Sequence, residues 1–110
     1  MPYYLFQGRY TADAIKAMVD APQDREAAVR PLFEAIGAKL HHLFFCFGKD
    51  DVVALIEAPD DNTVAACALV VGGSGSLSSG ATTKLMTPAE AKRAMETAKS
   101  ITESYRPATG

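Results

Sequence analysis

Two neighbouring apolar segments constrain the fold of this chain more than any other feature. The segments LHHLFFCF (40–47) and VVALIE (52–57) each have the length and composition of a β-strand, and GKDD between them is typical of a tight turn. Successive residues of a strand face opposite sides of a sheet. The expected sets are Leu40, His42, Phe44 and Cys46 on one side, and His41, Leu43, Phe45 and Phe47 on the other. Both sides are largely apolar, so the sheet needs a covering layer on each face.

The size and charge of the chain limit what can supply those layers. With 110 residues there is room for a single domain, residues 1–110, with one modest core. The formal net charge is -2 and no basic run occurs, which argues against a nucleic-acid partner. The first residues, MPYYLFQGRY, do not resemble a secretory leader, and no apolar stretch approaches the ~20 residues of a membrane-spanning helix. We therefore expect a cytoplasmic protein without a membrane partner.

Capping residues and helix breakers divide the rest of the chain into further elements. Thr11, Asp60 and Thr87 are typical N-caps, whereas Pro31 predicts a kink or a broken turn inside its helix. The small and polar segment GGSGSLSSG (72–80) predicts a loop. The expected strands are 3–9, 40–47, 52–57 and 81–86, and the expected helices are 11–20, 24–36, 61–71 and 88–104, followed by a loose tail over 105–110.

This order of elements predicts an α+β fold of the ferredoxin-like βαββαβ type. Its four-stranded antiparallel sheet carries helices on one face, and here an extra C-terminal helix follows. The second apolar face is then uncovered, and exposed apolar area costs about 25 cal/mol per Å². We expect a second copy of the chain to cover it, which favours a homo-oligomer and a dimer in particular. The alternative is that the C-terminal helix folds across the second face of its own sheet.

The predicted topology also places a group of polar residues together. The first strand should lie antiparallel to the third, so Arg9 and Tyr10 come close to Asp50 and Asp51. In a functional interpretation, Arg9 holds a carboxylate or phosphate, Asp51 orients the guanidinium and Tyr10 offers a hydroxyl. In a structural interpretation, Arg9 and Asp51 pair across neighbouring strands while Asp50 shapes the turn. Both interpretations stay open at this stage.

The histidines and cysteines are weaker candidates for chemistry. His41 and His42 should face opposite sides of the strand, so one could act as a catalytic base, but the two cannot easily chelate one metal ion. No metal site and no cofactor are predicted. Cys46 and Cys67 lie in apolar segments and form no CxxC motif, which favours two buried structural thiols.

Several short motifs over roughly residues 2–88 resemble those of the GYD-domain family. They are Gly8-Arg9-Tyr10-Thr11, Gly37-Ala38-Lys39-Leu40, Gly48 followed by Asp51-Val52-Val53, and Glu57-Ala58-Pro59-Asp60-Asp61. Members are small, functionally uncharacterised bacterial proteins, and the resemblance implies a ferredoxin-like fold of the dimeric α/β-barrel type. The family signature has tyrosine before the aspartate of the turn. Gly48 and Asp51 match it, but Asp50 stands in the tyrosine position, so no role of a phenol is carried over.

Two hypotheses for function follow. The first is a non-enzymatic homo-oligomer that binds a small molecule or a partner protein at the second sheet face or between subunits. The alternative is a small cofactor-free α+β-barrel enzyme, such as an oxygenase or isomerase, acting on an apolar or aromatic substrate. In that case Arg9 would orient the substrate and His41 or His42 would move a proton. The few ionisable groups on the apolar sheet favour the first hypothesis.

Overall fold

The computed structural model describes all residues, 1–110, and it has the predicted ferredoxin-like architecture. Four strands form one antiparallel sheet in the order β2-β3-β1-β4. The elements are β1 (Tyr3–Tyr10), α1 (Ala12–Asp20), α2 (Arg25–Ala35), β2 (Lys39–Phe45), β3 (Val52–Glu57), α3 (Asp61–Gly73), β4 (Leu77–Leu85) and α4 (Pro88–Ile101), with a short 3-10 turn over Thr102–Ser104. No helix of the protein is both long enough and apolar enough to cross a membrane.

The helices begin where the capping residues predict. The side chains of Thr11, Asp24, Asp60 and Thr87 each accept a hydrogen bond from the backbone N–H three residues further on. At the start of α4, the carboxylate of Glu90 also accepts from the backbone N–H of Thr87, which completes a capping box. The helix α2 runs without a break through Pro31, so the expected broken turn is absent.

The loop before β4 is shorter than the predicted loop over 72–80. Strand β4 begins at Leu77, and it pairs with β1 along its whole length. Sequence patterns missed the first part of β4 because it is rich in serine and glycine, and β4 lies at the edge of the sheet, where small and polar residues are tolerated. Gly80 lies directly opposite Gly8, and the ring of Phe6 packs over both glycines.

The core lies between the sheet and the helices α2 and α3. Its buried apolar side chains form two clusters: Phe33, Leu40, Ala54, Ile56 and Cys67 in one, and Tyr4, Ala58 and Val64 in the other. Only 10 of the 110 residues are buried in the single chain, which is a thin core for a domain of this size.

A β-bulge in β2 changes which residues share a face. Leu40 pairs with Ile56, but the next pair is His42 with Leu55, so His41 is an extra residue. The predicted sets are therefore wrong at Leu40 and His41, whereas the alternation from His42 to Phe45 is as predicted. Leu43 and Phe45 pair with Ala54 and Val52 of the buried side, whereas His41, His42 and Phe44 belong to the other side. The face argument against a shared role of the two histidines fails for the same reason.

The second sheet face is uncovered in the single chain. The helix α4 does not fold across it, since none of its residues is buried. The molecule measures 59 × 33 × 22 Å, and its radius of gyration of 17.9 Å exceeds the ~13 Å of a compact 100-residue domain. The expected alternative, in which the chain covers its own second face with the C-terminal helix, is therefore wrong. We call this surface, formed by the outward side chains of Tyr3, Leu5, Gln7, His41, His42, Phe44, Val53, Leu55 and Glu57, the open face.

Candidate functional site

A cavity of about 290 Å³ lies between α2, α3 and the covered face of the sheet. Side chains of both helices line it. Of its 21 lining residues, 17 are hydrophobic. The floor includes Phe6, Ala54 and Ile56 of the sheet, and the walls include Leu32 of α2 and Cys67 of α3. A concave apolar site with few polar groups is the usual form of a small-molecule site.

Three of the four polar lining residues lie at one end of the cavity. Arg25 is the first residue of α2, and Ser74 and Ser76 follow the end of α3. The two helices run in opposite directions between strand ends, so the start of α2 and the end of α3 both lie at the end of the sheet where β1 ends and β3 begins. The opposite end, at Ile36 and Val64, is apolar. The fourth polar lining residue, Thr82, pairs with Phe6 in the middle of the sheet.

Arg25 is the only charged residue in the cavity lining. Its Nη1 donates to Oε1 of Gln23 at 2.8 Å, and it forms no ion pair. Its Nε is buried and has no hydrogen-bond partner. Buried donors in folded proteins nearly always have an acceptor, so this unsatisfied N–H marks the polar end of the cavity as incomplete.

Cys67 lies in the cavity wall as a free thiol with 8% of its surface exposed. Burial raises the pKa of this thiol, which lowers the thiolate fraction and makes it a poor nucleophile at neutral pH. Cys46 is also free, lies half-buried just after β2, and donates its S–H to the carbonyl oxygen of Asp50 at 3.2 Å.

Of the four residues that the sequence placed near the β2–β3 turn, the structure brings three together: Arg9, Tyr10 and Asp51. Asp51 Oδ1 lies 3.9 Å from Arg9 Nη1, and Asp51 Oδ2 accepts from the backbone N–H of Tyr10 at 3.0 Å. Arg9 also donates to the carbonyl oxygen of Lys49 at 3.0 Å. The backbone N–H of Asp51 donates to the carbonyl oxygen of Gly8 at 2.9 Å, so this cluster ties the β2–β3 turn to the end of β1.

The same cluster reaches the cavity through Tyr10 alone. The Tyr10 ring lines the cavity and lies 5.8 Å from the ring of Phe45, while its backbone is held by Asp51. The Arg9 side chain is half-exposed and lies outside the cavity lining. Asp50 contributes only its backbone carbonyl, which holds Cys46, and its side chain forms no hydrogen bond. These contacts fit a structural role for Asp51, which ties the turn to β1. They give Asp50 no role in contacting a ligand.

Both histidines lie on the open face. His41 Nε2 and Glu57 Oε1 are 2.9 Å apart, and the Tyr3 ring lies 5.8 Å from the His41 ring. The hydrogen bond from His41 is the main reason that the pKa of Glu57 is lowered. His42 stacks on Phe44 at 5.7 Å. No group of three or more histidine, cysteine, aspartate or glutamate side chains is arranged to hold a metal ion.

A further polar contact that sequence patterns missed joins β1, α3 and β4. The hydroxyl of the buried Tyr4 donates to Asp61 Oδ1 at 2.5 Å, and Lys84 Nζ lies 3.0 Å from the same oxygen. Burial, followed by the hydrogen bond to Asp61, raises the pKa of Tyr4 to about 12. The pKa of Asp61 is lowered, chiefly by the hydrogen bonds from Tyr4 and Lys84. The contact fastens the start of α3 to the sheet beside the apolar end of the cavity.

Arg25 and the cavity were also missed by sequence patterns. The available signal was an arginine at the first position of a predicted helix, next to an aspartate N-cap. A cation is disfavoured there because it meets the positive end of the helix dipole. The cavity between α2, α3 and the sheet leaves no periodic signal in the sequence.

A comparison with protein families decides the classification. The family model of the GYD domain matches residues 4–95, which is most of the chain. The chain belongs to the GYD-domain family. The match includes the turn with Gly48 and Asp51 and the cavity-lining strands and helices of this GYD domain. No curated protein matches its sequence.

Solved structures of low sequence identity share the fold of this GYD domain. One is the 5-chloro-2-hydroxyhydroquinone dehydrochlorinase TftG from Burkholderia phenoliruptrix AC1100, in complex with 2,5-dihydroxybenzoquinone (TM-score 0.53, 15% identity, 76% of this chain and 93% of that chain covered). FFRP-DM1 matches with a TM-score of 0.50 at 8% identity, over 78% of this chain and 100% of that chain. MtbAldR matches with a TM-score of 0.52 at 14% identity over 78% of this chain, and the match spans about half, 53%, of MtbAldR. At these identities the likeness extends to the fold alone.

Proposed function

We propose that this GYD domain is a homodimeric binding protein that holds one small apolar molecule per subunit in the cavity between α2, α3 and the sheet. The observation that carries the proposal is the cavity of about 290 Å³ with a mostly apolar lining. This volume is just below the range of about 300–1,000 Å³ that is usual for ligand pockets. An empty apolar cavity loses the dispersion contacts that a filled one makes. A ligand would therefore enlarge the thin core and stabilise the domain.

The open face supports the dimer. Leu5, Val53 and Leu55 are half-buried there and Phe44 is 60% exposed, and no segment of the same chain covers them. An exposed group of large apolar side chains of this kind is unusual on a soluble monomer. A second copy offers an identical apolar sheet, and packing two sheets back to back through a two-fold axis would cover both. This is the arrangement of a dimeric α/β barrel.

A second candidate function is cofactor-free catalysis on an apolar or aromatic substrate. The observation that favours it is the His41–Glu57 pair, because a carboxylate that orients an imidazole is a common arrangement for a catalytic base. One neighbour in fold, TftG, is a dehydrochlorinase in complex with a quinone. The pair lies on the open face, however, and the cavity lies on the covered face. A substrate in the cavity would not reach this base, so we rank binding ahead of catalysis.

The two cysteines support a proposal for the compartment of the protein. Cys46 and Cys67 are both free, and a reducing compartment keeps thiols in that state. We place the protein in the cytoplasm on this basis.

The dimer is tested by the mass in solution of two matched variants. Leu55→Glu puts a charge in the centre of the open face, whereas Leu69→Glu makes the same change at a leucine of α3 that is 76% exposed. We expect the wild type and Leu69→Glu to have twice the chain mass of 11.7 kDa, and Leu55→Glu to have the mass of one chain. A wild-type protein with the mass of one chain at micromolar concentration would overturn the dimer.

Ligand binding is tested with a neutral, polarity-sensitive naphthalene dye. Ala68 lines the cavity from α3, and Ala65 of the same helix is exposed outside it. We expect the dye to bind the wild type and Ala65→Phe, and Ala68→Phe to weaken binding because the phenyl ring fills the cavity. Equal binding by both variants would show that the dye sits elsewhere, and no binding by the wild type would overturn the cavity as a site.

A further inference from the structure

We propose that the cavity selects amphiphilic monocarboxylates, with the carboxylate at the guanidinium of Arg25 and the apolar body directed towards Ile36 and Val64. The inference rests on the proposed function, and it adds the chemical class of the ligand. Four observations carry it: the volume of the cavity, the separation of its polar and apolar ends, the unpaired state of Arg25, and the absence of a second cation in the lining.

The volume of the cavity sets the size of the ligand. A dry cavity of about 150 Å³ accepts benzene, so the 290 Å³ found here accommodates a ligand of roughly twice that size, or about a dozen heavy atoms. A saturated acid with ten carbons and a naphthalene carboxylic acid both have this size. Long-chain lipids and nucleotides exceed it.

The distribution of polar groups sets the shape of the ligand. Arg25, Ser74 and Ser76 lie at the end of the cavity where α2 begins and α3 ends. The rest of the lining is apolar apart from Thr82. A ligand with a polar head and an apolar body satisfies both ends. A ligand that is polar throughout would leave its groups without partners at Ile36, Ile56 and Val64.

The state of Arg25 sets the chemistry of the head group. Its Nε is buried without an acceptor, and its guanidinium forms no ion pair in the chain. The other arginine of the same helix, Arg30, pairs with Glu26 at 3.5 Å. A guanidinium presents its N–H groups as a planar fork, and a carboxylate is the group that accepts from this fork with two oxygens. The bound carboxylate would supply the missing acceptor.

The charge of the lining excludes the competing head groups. An ammonium group would be repelled by Arg25. A phosphate carries up to two negative charges and is usually held by several cations or by a glycine-rich loop, but no lysine and no second arginine line the cavity. A neutral alcohol would fit the apolar part and would leave the positive charge of Arg25 without a counter-charge. A single carboxylate matches the single cation.

The test compares decanoate, decan-1-ol and decylammonium as ligands of the full chain by isothermal titration calorimetry. The two ions are used below their micelle concentrations and decan-1-ol below its solubility limit. Three proteins are measured: the wild type, Arg25→Gln, and the matched control Arg30→Gln. We expect the wild type and Arg30→Gln to bind decanoate more tightly than decan-1-ol. Arg25→Gln should weaken decanoate binding by about tenfold or more and leave decan-1-ol binding unchanged, because a charge-assisted hydrogen bond is lost. Decylammonium should bind least well to the wild type.

The outcomes separate this inference from the proposed function. Equal affinities of decanoate and decan-1-ol for the wild type, or an unchanged decanoate affinity in Arg25→Gln, would overturn the carboxylate selection while leaving the apolar site in place. No binding of either ligand or of the neutral dye would overturn the site itself. Retained decan-1-ol binding shows that Arg25→Gln is folded. Titration with 1-naphthoate then distinguishes a preference for aromatic acids from one for alkyl acids.

Discussion

His41 Nε2 and Glu57 Oε1 lie 2.9 Å apart on the open face, and the β-bulge at His41 leaves the next residue, His42, on that same face. Without the extra residue, alternation from the buried Leu40 would place His41 on the open face and His42 towards the core. The bulge therefore gives one sheet face two neighbouring histidines, one of them paired with Glu57. Bulges commonly redirect side chains in this way.

Replacing Glu57 by glutamine should change how stability depends on pH. The pKa of Glu57 is lowered below 4.5, mainly by the hydrogen bond from His41 and further by the charge of Lys39. A carboxylate with a lowered pKa stabilises the folded state above its ordinary pKa, and this contribution is lost as the pH falls through the lowered value. We expect Glu57→Gln to have a lower melting temperature than the wild type above pH 5, and the difference to shrink below pH 4.5.

The measurement is thermal unfolding from pH 3 to pH 7, with Glu34→Gln as the control. Glu34 is exposed near the end of α2 and forms no ion pair, so this variant should follow the wild type. Parallel pH curves for the wild type and Glu57→Gln would show that the hydrogen bond to His41 has no effect on stability.

Replacing Tyr4 by phenylalanine should destabilise the protein and remove a titration at high pH. The variant loses the hydrogen bond to Asp61, so the free energy of unfolding at neutral pH should fall by about 1 kcal/mol. Because the pKa of Tyr4 is raised to about 12, its contribution is complete below pH 10 and is lost as the pH rises through 12. Urea unfolding and a titration of tyrosinate absorbance measure both effects.

The matched control for this variant is Tyr105→Phe, because the Tyr105 side chain is 70% exposed. It should leave the free energy of unfolding unchanged. A tyrosinate component near pH 12 that persists in Tyr4→Phe would contradict the assignment to Tyr4.

Replacing Gly8 by alanine should affect ligand binding through Phe6. A Cβ atom at Gly8 would lie 2.8 Å from Cζ of Phe6, so the ring must move, and the space beside it is the cavity. We expect weaker binding of the neutral dye and a loss of stability of about 1–3 kcal/mol from overpacking. Gly80→Ala should act in the same direction but less strongly, because its closest contact with the Phe6 ring is 3.3 Å.

Gly48→Ala provides the reference for the glycine series, since no atom lies within 4 Å of a Cβ at that position. It should bind the dye as the wild type does. If Gly8→Ala and Gly48→Ala had equal dye affinities, Phe6 would not control the size of the cavity.

The two thiols should respond differently to a ligand. Cys67 is buried in the cavity wall with a raised pKa, and Cys46 lies outside the cavity. In Cys46→Ala, the remaining thiol should react slowly with an aromatic disulfide reagent, and more slowly when decanoate is present. In Cys67→Ala, the reaction of Cys46 should not depend on decanoate. A ligand effect on Cys46 alone would place the ligand away from the cavity.

The order of the elements and the place of the helix caps followed from local patterns. Thr11, Asp60 and Thr87 cap helices because a short polar side chain bonds to a backbone N–H three residues away, which is a property of neighbouring residues. The contact between Tyr10 and Asp51 was also predicted, because the strand order brings the end of β1 beside the start of β3. The exception was the start of β4, where small residues resemble a loop.

The site depended on relations that local patterns do not contain. The bulge at His41 is a matter of register between β2 and β3, and one extra residue reverses the faces that follow it. The partner of Tyr4 lies 57 residues away. The place of Arg25 in the cavity lining depends on how α2 and α3 pack over the sheet, and periodicity along either helix does not specify that packing.

The sequence by itself determined a four-stranded sheet with apolar residues on both faces, since alternation and chain length are enough to predict it. Only the tertiary structure decided that α4 leaves the second face open, and that the covered face holds a cavity with one unpaired arginine. The physical reason is that hydrophobic patterning specifies which side of an element is buried, whereas the fit between layers is set by the packing of distant side chains against each other.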